Sequence, residues 1–259
     1  NYSKEDAIQI LNDHQEPQYK INNGKKPHII AVMGEAFYDI DRIPGIEFNE
    51  GINPLENFNK IRAQSYSGRI VTDVFGGGTA NTEFSFLTGH SMPIMPEMSS
   101  PYSFYIRKDT FSLTRVLEKA GYASMAFHPG ESWFYNRSNV YRFFGFDEIY
   151  FKKNMDQNKI EVNLGYVSDM STAEFALEKF RKHLEADPWK PFFEFVVNIE
   201  NHGPYSKRDL GYPKILKRKE TMDESTYNIL NNYINGLARC DKALGYFVDS
   251  IADMSEPVV

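Results

Sequence analysis

Residues 27–35 read Pro-His-Ile-Ile-Ala-Val-Met-Gly-Glu, a largely apolar run that opens after a proline and closes on a glycine and an acid. A run of this length, rich in β-branched side chains, is typical of a strand buried on both faces of a parallel sheet. Segments 122–127 and 191–199 have the same character, and each is followed within three residues by a histidine beside glycine and proline. Segment 69–74 predicts a further strand, and residues 257–259 resemble the opening of another.

Helical patterns lie between these strands. The best example is 171–184, where Phe175, Leu177 and Phe180 belong to one apolar face. Because strands alternate with helices, the sequence predicts an α/β fold with a mainly parallel central sheet and helices on both faces. We expect 27–259 to form one domain and 1–26 to be a lead-in segment with a short amphipathic helix. The other predicted helices are 79–87, 112–120, 136–144 and 225–251, the last as one helix or two.

The composition is that of an ordinary globular protein, with 41% hydrophobic and 25% charged residues. These fractions exclude a disordered or collagen-like chain. The net charge is −6, so we expect no nucleic-acid partner. The single cysteine, Cys240, has helical apolar neighbours, which favour a small buried side chain over a nucleophile. No run reaches the ~18 apolar residues of a membrane span, and we expect the chain as given to be soluble.

Reactive or ligand-type residues follow the predicted strands. Glu35 comes after the first, the glycine run leading to Thr79 after the second, and His128 and His202 after the next two. In open α/β sheets ligands bind at the carboxyl ends of the strands, so these four residues are expected to converge on one site.

Thr79 is the candidate nucleophile. Gly76–Gly78 allow the backbone to approach a phosphate, and the start of the following helix stabilises an anion. A threonine hydroxyl needs a base or a metal ion to become nucleophilic at neutral pH. The alternative is a threonine that only caps the helix after a flexible turn.

Each of the other strand-end residues also has two interpretations. Glu35 is either a ligand for a hard divalent cation or a solvated loop carboxylate, and Asp39 and Asp41 are weaker candidates for the same role. His128 and His202 either belong to the site or cap backbone groups in their turns.

Residues 132–137 read Ser-Trp-Phe-Tyr-Asn-Arg and place aromatic rings beside a guanidinium. The guanidinium of Arg137 can form a two-pronged contact with a phosphate. The alternative is an aromatic core patch with a surface arginine.

Taken in order, several segments resemble the lipoteichoic acid synthase group of phosphoglycerol transferases, within the alkaline phosphatase and sulfatase superfamily. The resemblance covers about residues 27–259 and implies an alkaline phosphatase-like fold. The sulfatase branch of that superfamily uses a Cys or Ser in a Cys/Ser-x-Pro-x-Arg signature, which the residues around Thr79 lack. Phosphoryl chemistry is therefore favoured. The matching segments are 29–37, 77–84, 127–130, 134–137, 141–147, 201–205 and 233–247.

The resemblance also implies roles. Thr79 would take a glycerol-phosphate group from phosphatidylglycerol as a phospho-Thr intermediate and pass it to an envelope polymer or glycan. Glu35 would bind a manganese or magnesium ion that also contacts Thr79. The phosphoglycerol head group would be held by His128, Tyr135, Arg137 and His202.

Members of this group are extracytoplasmic domains held by N-terminal membrane helices, and they have further metal ligands in an Asp-His pair after the long helix. We expect the given chain to be an excised fragment that stops before those C-terminal strands. Metal binding and turnover are then expected to be weak or absent. The alternatives are a phosphoethanolamine transferase, a phosphodiesterase, or a non-catalytic envelope module that binds lipid head groups or polymer.

Overall fold

The centre of the molecule is a parallel sheet. A computed structural model describes residues 3–13, 25–72, 74, 76–96 and 99–259. The sheet strands are β1 (Ile29–Met33), β2 (Ala123–His128), β3 (Glu148–Phe151) and β6 (Phe192–Val197), and a separate hairpin joins β4 (Val162–Asn163) to β5 (Tyr166–Val167). The four sheet strands run parallel in the order β1, β6, β2, β3.

Local sequence sets the ends of several helices. Ser112, Ser168 and Asp223 each accept a backbone N–H bond at a helix start. Gly89 and Gly145 end two others in the left-handed conformation. The helices are α1 (Lys4–Asp13), α2 (Glu56–Gln64), α3 (Thr79–Thr88), α4 (Pro101–Phe104), α5 (Leu113–Lys119), α6 (Arg137–Phe144), α7 (Asp169–Ala186) and α8 (Glu224–Ala252).

The predicted α/β architecture is confirmed, with helices on both faces of the sheet. Phe193 and Phe195 of β6 point into a core with α3, α4, α5 and α6. Phe192 and Val196, the alternate residues, point into a second core with α7 and α8. The 225–251 segment is one continuous helix, α8. Of the lead-in segment, α1 is present, while residues 14–24 lie outside the described part of the chain.

Two strand predictions need correction. The strand after Pro27 is expected to be buried on both faces; β1 packs against both cores, but Val32 is 42% exposed and β1 is the outermost of the four named strands. Segment 69–74 is not a strand in its described residues, 69–72 and 74. Ile70 and Val71 are 91% and 93% exposed. Strand composition alone is insufficient there, because a strand also needs a neighbour for its hydrogen bonds.

The parallel arrangement brings the carboxyl ends of all four strands to one edge of the sheet. Glu35 follows β1, His128 ends β2, Lys152 follows β3 and His202 follows β6. Residues 258–259 begin a parallel pairing with β1 through the backbone of His28 and Ile30.

Candidate active site

Thr79 is the first residue of α3. The three residues before it, Gly76, Gly77 and Gly78, have φ angles of 69°, 147° and 76°, which glycine adopts without steric cost. Gly78 is the N-cap, so Thr79 does not cap the helix. Its Oγ1 atom donates instead to Oε1 of Glu35 at 2.5 Å. This geometry rules out the simple capping interpretation and directs the hydroxyl at an acid.

Glu35 lies at the centre of the group. Its side chain is 14% exposed, so the solvated-loop interpretation does not hold. Burial raises the pKa of Glu35, and the Thr79 hydrogen bond and the charges of His202 and Arg137 oppose that rise. A carboxylate with a raised pKa accepts a proton more readily, which suits a residue bonded to a candidate nucleophile.

His202 approaches Glu35 from the end of β6. Its Nε2 atom lies 3.5 Å from Oε1 of Glu35. Its Nδ1 atom lies 2.6 Å from the carbonyl oxygen of Gly203 and donates to it. Nε2 is therefore the ring atom that faces the site. The side chain is 43% exposed, so a ligand can reach it.

His128 is buried at the end of β2, and its Nδ1 atom accepts a hydrogen bond from the backbone N–H of Gly130. Burial, helped by the charge of Arg137, lowers the pKa of His128 well below its usual value. Because Nδ1 accepts that bond, the proton of the neutral ring is on Nε2, and that atom has no hydrogen-bond partner among the described residues. A buried donor without a partner is costly unless a ligand satisfies it.

Arg137 is buried, contrary to the surface-arginine alternative. Its Nη2 and Nε atoms donate to Glu83 Oε1 at 2.6 and 3.0 Å, and Tyr141 donates to the other carboxylate oxygen at 2.7 Å. Burial by itself would lower the pKa of Arg137, but the negative charge of Glu83 outweighs this effect, and the pKa of Arg137 is raised. Two N–H groups of the guanidinium thus bond to Glu83, and Nη1 has no hydrogen-bond partner in the part of the chain that the structure describes.

The predicted site residues therefore form two connected groups. In the first group, Glu35 contacts both Thr79 and His202. In the second, Arg137 lies close enough to His128 for its charge to shift the pKa of that ring, and the same charge also acts on Glu35. Tyr135 joins the second group, because the guanidinium of Arg137 lies 5.2 Å from the centre of its ring.

Asp39 and Asp41 do not join the site. Asp39 pairs with Arg62 at 2.6 Å, and Asp41 accepts a hydrogen bond from Asn59 at 3.3 Å. Both carboxylates are used to hold the loop after β1 against α2. The lower rank given to them from sequence agrees with this arrangement.

Glu35 and Thr79 offer part of a metal site. Their carboxylate and hydroxyl oxygens are the ligand chemistry that manganese or magnesium prefers, and they lie together at the edge of the sheet. Two side chains supply fewer oxygens than the ~6 that such ions take. The residues fit a divalent cation as a partial ligand set.

A second acidic cluster lies behind His202. Among the described residues, Asp169, Glu200 and Cys240 form the group of three with metal-ligand spacing. Glu200 accepts from Arg239 at 2.6 Å and from the N–H of Asp169 at 2.8 Å, and Asp169 accepts from Asn198 at 2.9 Å. Burial raises the pKa of Cys240 far above its usual range, so the thiol keeps its proton. The cluster is a satisfied hydrogen-bond network, and Cys240 is buried as predicted.

Sequence reasoning missed Glu83 and Lys152. Glu83 lies four residues after Thr79 on α3, a spacing that places the two on one face of a helix. Lys152 follows β3, a strand signalled by the run Ile149-Tyr150-Phe151. The sequence contains both patterns. Arg137, the partner of Glu83, is 54 residues away, however, so neighbouring residues do not predict that pair.

A hydroxyl on a helix start at the carboxyl edge of a parallel α/β sheet, beside an acid and two histidines, matches the alkaline phosphatase-like class of folds. A family model described as Sulfatase matches residues 27–259, and the chain belongs to the sulfatase family. A structure of a Streptococcus pyogenes phosphoglycerol transferase in complex with sn-glycerol-1-phosphate superimposes with a TM-score of 0.75 at 24% identity, covering 98% of this chain and 63% of that one.

Two curated relatives extend the comparison. The chain is 33% identical over 225 residues to a proposed cyclic beta-1,2-glucan modification protein of Rhizobium meliloti, covering 86% of this chain and 33% of the relative. It is 26% identical over 262 residues to the lipoteichoic acid synthase of Staphylococcus saprophyticus, covering 96% of this chain and 38% of the relative. The chain thus spans about a third of the length of these relatives. Within the described residues, no helix has the length and apolar character needed to cross a bilayer.

Proposed function

We propose that this domain transfers a glycerol-phosphate group from a phosphatidylglycerol-type lipid to a cell-envelope polymer or glycan, with Thr79 as the nucleophile. The observation that supports this most is the 2.5 Å hydrogen bond from Thr79 Oγ1 to Glu35 at the start of α3. It places a reactive oxygen, an acceptor for its proton and a helix N-terminus at one point.

The first step forms a phospho-Thr intermediate. Thr79 Oγ1 bonds to phosphorus, the bond from phosphorus to the diacylglycerol oxygen breaks, and that oxygen takes up a proton. The proton of Thr79 leaves along its hydrogen bond toward Glu35. Manganese or magnesium, held by Glu35 and Thr79, supplies stabilisation of the threonine alkoxide when bound.

The head group is held by the remaining predicted residues. The unpartnered Nε2–H of His128 and Nη1–H of Arg137 are donors suited to phosphate oxygens or glycerol hydroxyls. Glu83 and the ring of Tyr135 fix the guanidinium, so Arg137 reaches the ligand through one N–H group rather than through a two-pronged contact. His202 presents Nε2 to the glycerol side of the site.

In the second step an acceptor hydroxyl attacks the phosphorus and Thr79 regains its proton. The acceptor and the donor lipid place the reaction at the outer face of the cytoplasmic membrane. The name of the Rhizobium meliloti relative favours a glycan among possible acceptors. With only Glu35 and Thr79 as ligands, we expect metal affinity and turnover of the chain as given to be low.

The test is intact-mass analysis after incubation with phosphatidylglycerol and manganese. The expected product is a phosphoglycerol adduct on Thr79, together with released diacylglycerol. Thr79→Ala should abolish both, a loss of about 10³-fold or more.

Two controls separate the alternatives. Thr88→Ala removes a hydroxyl from the other end of α3 and should leave the adduct unchanged, because that hydroxyl donates to Phe84 and accepts from the backbone N–H of His90 rather than contacting Glu35. Phosphatidylethanolamine offered in the same assay should give no adduct. An adduct with that lipid would favour a phosphoethanolamine transferase, and diacylglycerol release that persists in Thr79→Ala would overturn the proposal.

A further inference from the structure

A groove of about 250 Å³ adjoins the active site at His202. The two ring nitrogens of His202 face different neighbours: Nε2 faces Glu35, and Nδ1 lies 3.2 Å from the hydroxyl of Tyr166. Tyr166 and His202 both line the groove, whereas Glu35 does not. One imidazole therefore lines the groove and also faces the acid to which the candidate nucleophile donates.

Aromatic rings form the outer wall of the groove. Trp133 is 71% exposed and Phe134 is 46% exposed, and their rings are perpendicular with centres 5.7 Å apart. Tyr166 stands in the opposite hairpin, with its ring 5.2 Å from that of His202. An indole this exposed contributes little to the core and leaves a ring face open to a ligand.

Polar groups complete the lining. Glu131 and Lys152 are the acidic and basic side chains there besides the histidines, and their charges cancel. His128, assigned above to the phosphoglycerol head group, also belongs to this lining, so the groove and the head-group site adjoin there. Aromatic faces together with a few balanced polar groups are typical of a site that orients an uncharged, hydroxyl-bearing ligand.

We propose that this groove is the acceptor subsite and that it binds a neutral glycan, with a pyranose ring stacked on Trp133. The C–H face of a pyranose packs on the negative face of an indole, and its hydroxyls reach Tyr166 and Lys152. The groove is smaller than the ~300–1,000 Å³ pockets of drug-sized ligands, a scale that suits one or two sugar rings.

The assignment rests on the proposed function. A hydroxyl of the bound sugar forms the new bond to the phosphorus on Thr79, and the bond from phosphorus to Thr79 Oγ1 breaks. The proton of the sugar hydroxyl passes to Thr79 Oγ1 as that bond breaks, so the free threonine is restored and the sugar leaves as a phosphodiester.

An anionic polymer fits this groove less well. A glycerol-phosphate chain repeats its negative charge, and each phosphate calls for a cationic partner. Lys152 is the one lysine or arginine in the groove lining, and Glu131 opposes it. An acyl chain also fits poorly, because the groove ends at two histidines and a tyrosine hydroxyl.

The test is fluorescence titration of the chain with a neutral, soluble glucan oligosaccharide. The sequence has two tryptophans, and the second, Trp189, is 79% exposed beside Lys25, away from the groove lining. In Trp189→Phe, the remaining indole should respond to the glucan with saturation. Calorimetric binding should weaken about tenfold or more in Trp133→Ala, remain largely intact in Trp133→Phe, and be unchanged in Trp189→Ala.

The outcomes separate this inference from the function. Glucan binding that is absent, or that survives in Trp133→Ala, would overturn the subsite, as would stronger binding of oligomeric glycerol phosphate or of phosphatidylglycerol vesicles through Trp133. Thr79→Ala should bind the glucan like the parent chain. Glucan binding without any Thr79 adduct would support the groove as a glycan site and overturn the transfer reaction. A Thr79 adduct without glucan binding would support the transfer reaction and overturn the glycan site.

Discussion

Two polar clusters meet at the carboxyl edge of the sheet, and they differ in how fully their hydrogen bonds are satisfied. In the Asp169–Glu200 cluster, backbone N–H groups, asparagines and Arg239 bond both carboxylates. Near Thr79, the donors His128 Nε2 and Arg137 Nη1 have no partner within the described ranges of the chain. The difference shows that acidic side chains at ligand spacing do not by themselves define a site, whereas unmet donors beside a reactive hydroxyl point to an absent ligand.

The satisfied cluster should be the more sensitive to truncation. Glu200→Ala leaves Arg239, Asn163 and the N–H of Asp169 without their acceptor. Because breaking a buried ionic network strands the remaining charge, we expect a loss of about 3–5 kcal/mol in the free energy of unfolding, measured in urea.

The matched control is Glu178→Ala on α7, which removes only an exposed i,i+4 pair with Lys182. Its expected cost is about 0.3–0.5 kcal/mol. Similar losses for Glu200→Ala and Glu178→Ala would remove the distinction between the two clusters.

Glu194 adds a third kind of carboxyl to this comparison. It lies in the middle of β6, fully buried, and no described residue forms a hydrogen bond with either of its carboxyl oxygens. Burial raises its pKa well above 4.5, so the folded chain holds a proton that the unfolded chain releases. Stability is then lost as pH rises above the unfolded pKa and toward the folded one, at up to about 1.4 kcal/mol per pH unit.

Glu194→Gln should remove this dependence. The difference in unfolding free energy between the variant and the parent should be smallest near pH 5 and should grow in favour of the variant toward pH 8. Glu174→Gln on the exposed face of α7 corrects for the change in net charge. A difference that stays constant with pH would show that Glu194 ionises without cost in the folded chain.

The smallest effect on stability is expected at the candidate site. Glu35→Gln keeps an oxygen that can accept from Thr79 and removes a charge that burial disfavours. The unfolding free energy should change by less than about 1 kcal/mol, since a carboxylate with few partners contributes little to folding. Manganese binding, followed by calorimetry, should nevertheless fall below detection. A large loss of stability would show that Glu35, like Glu200, stabilises the fold.

Much of the fold could be predicted because its signals are local. The apolar runs that become β1, β2 and β6, and the periodicity of α7, are set by residues a few positions apart. The parallel arrangement of the strands then carries Glu35, His128 and His202 to one edge. The exception at 69–74 shows the limit of this reasoning, because β-branched residues form a strand only where a neighbour is available to pair with them.

The sequence by itself determined the alternation of strands and helices, the glycine run before Thr79 and the acid and histidines at the strand ends. Only the tertiary structure decided which of these groups meet. The contact of Thr79 with Glu35 joins residues 44 apart, and the burial of Arg137 against Glu83 joins residues 54 apart. Local patterns cannot specify such pairs, because their free energy comes from how separate elements pack and exclude water rather than from neighbours along the chain.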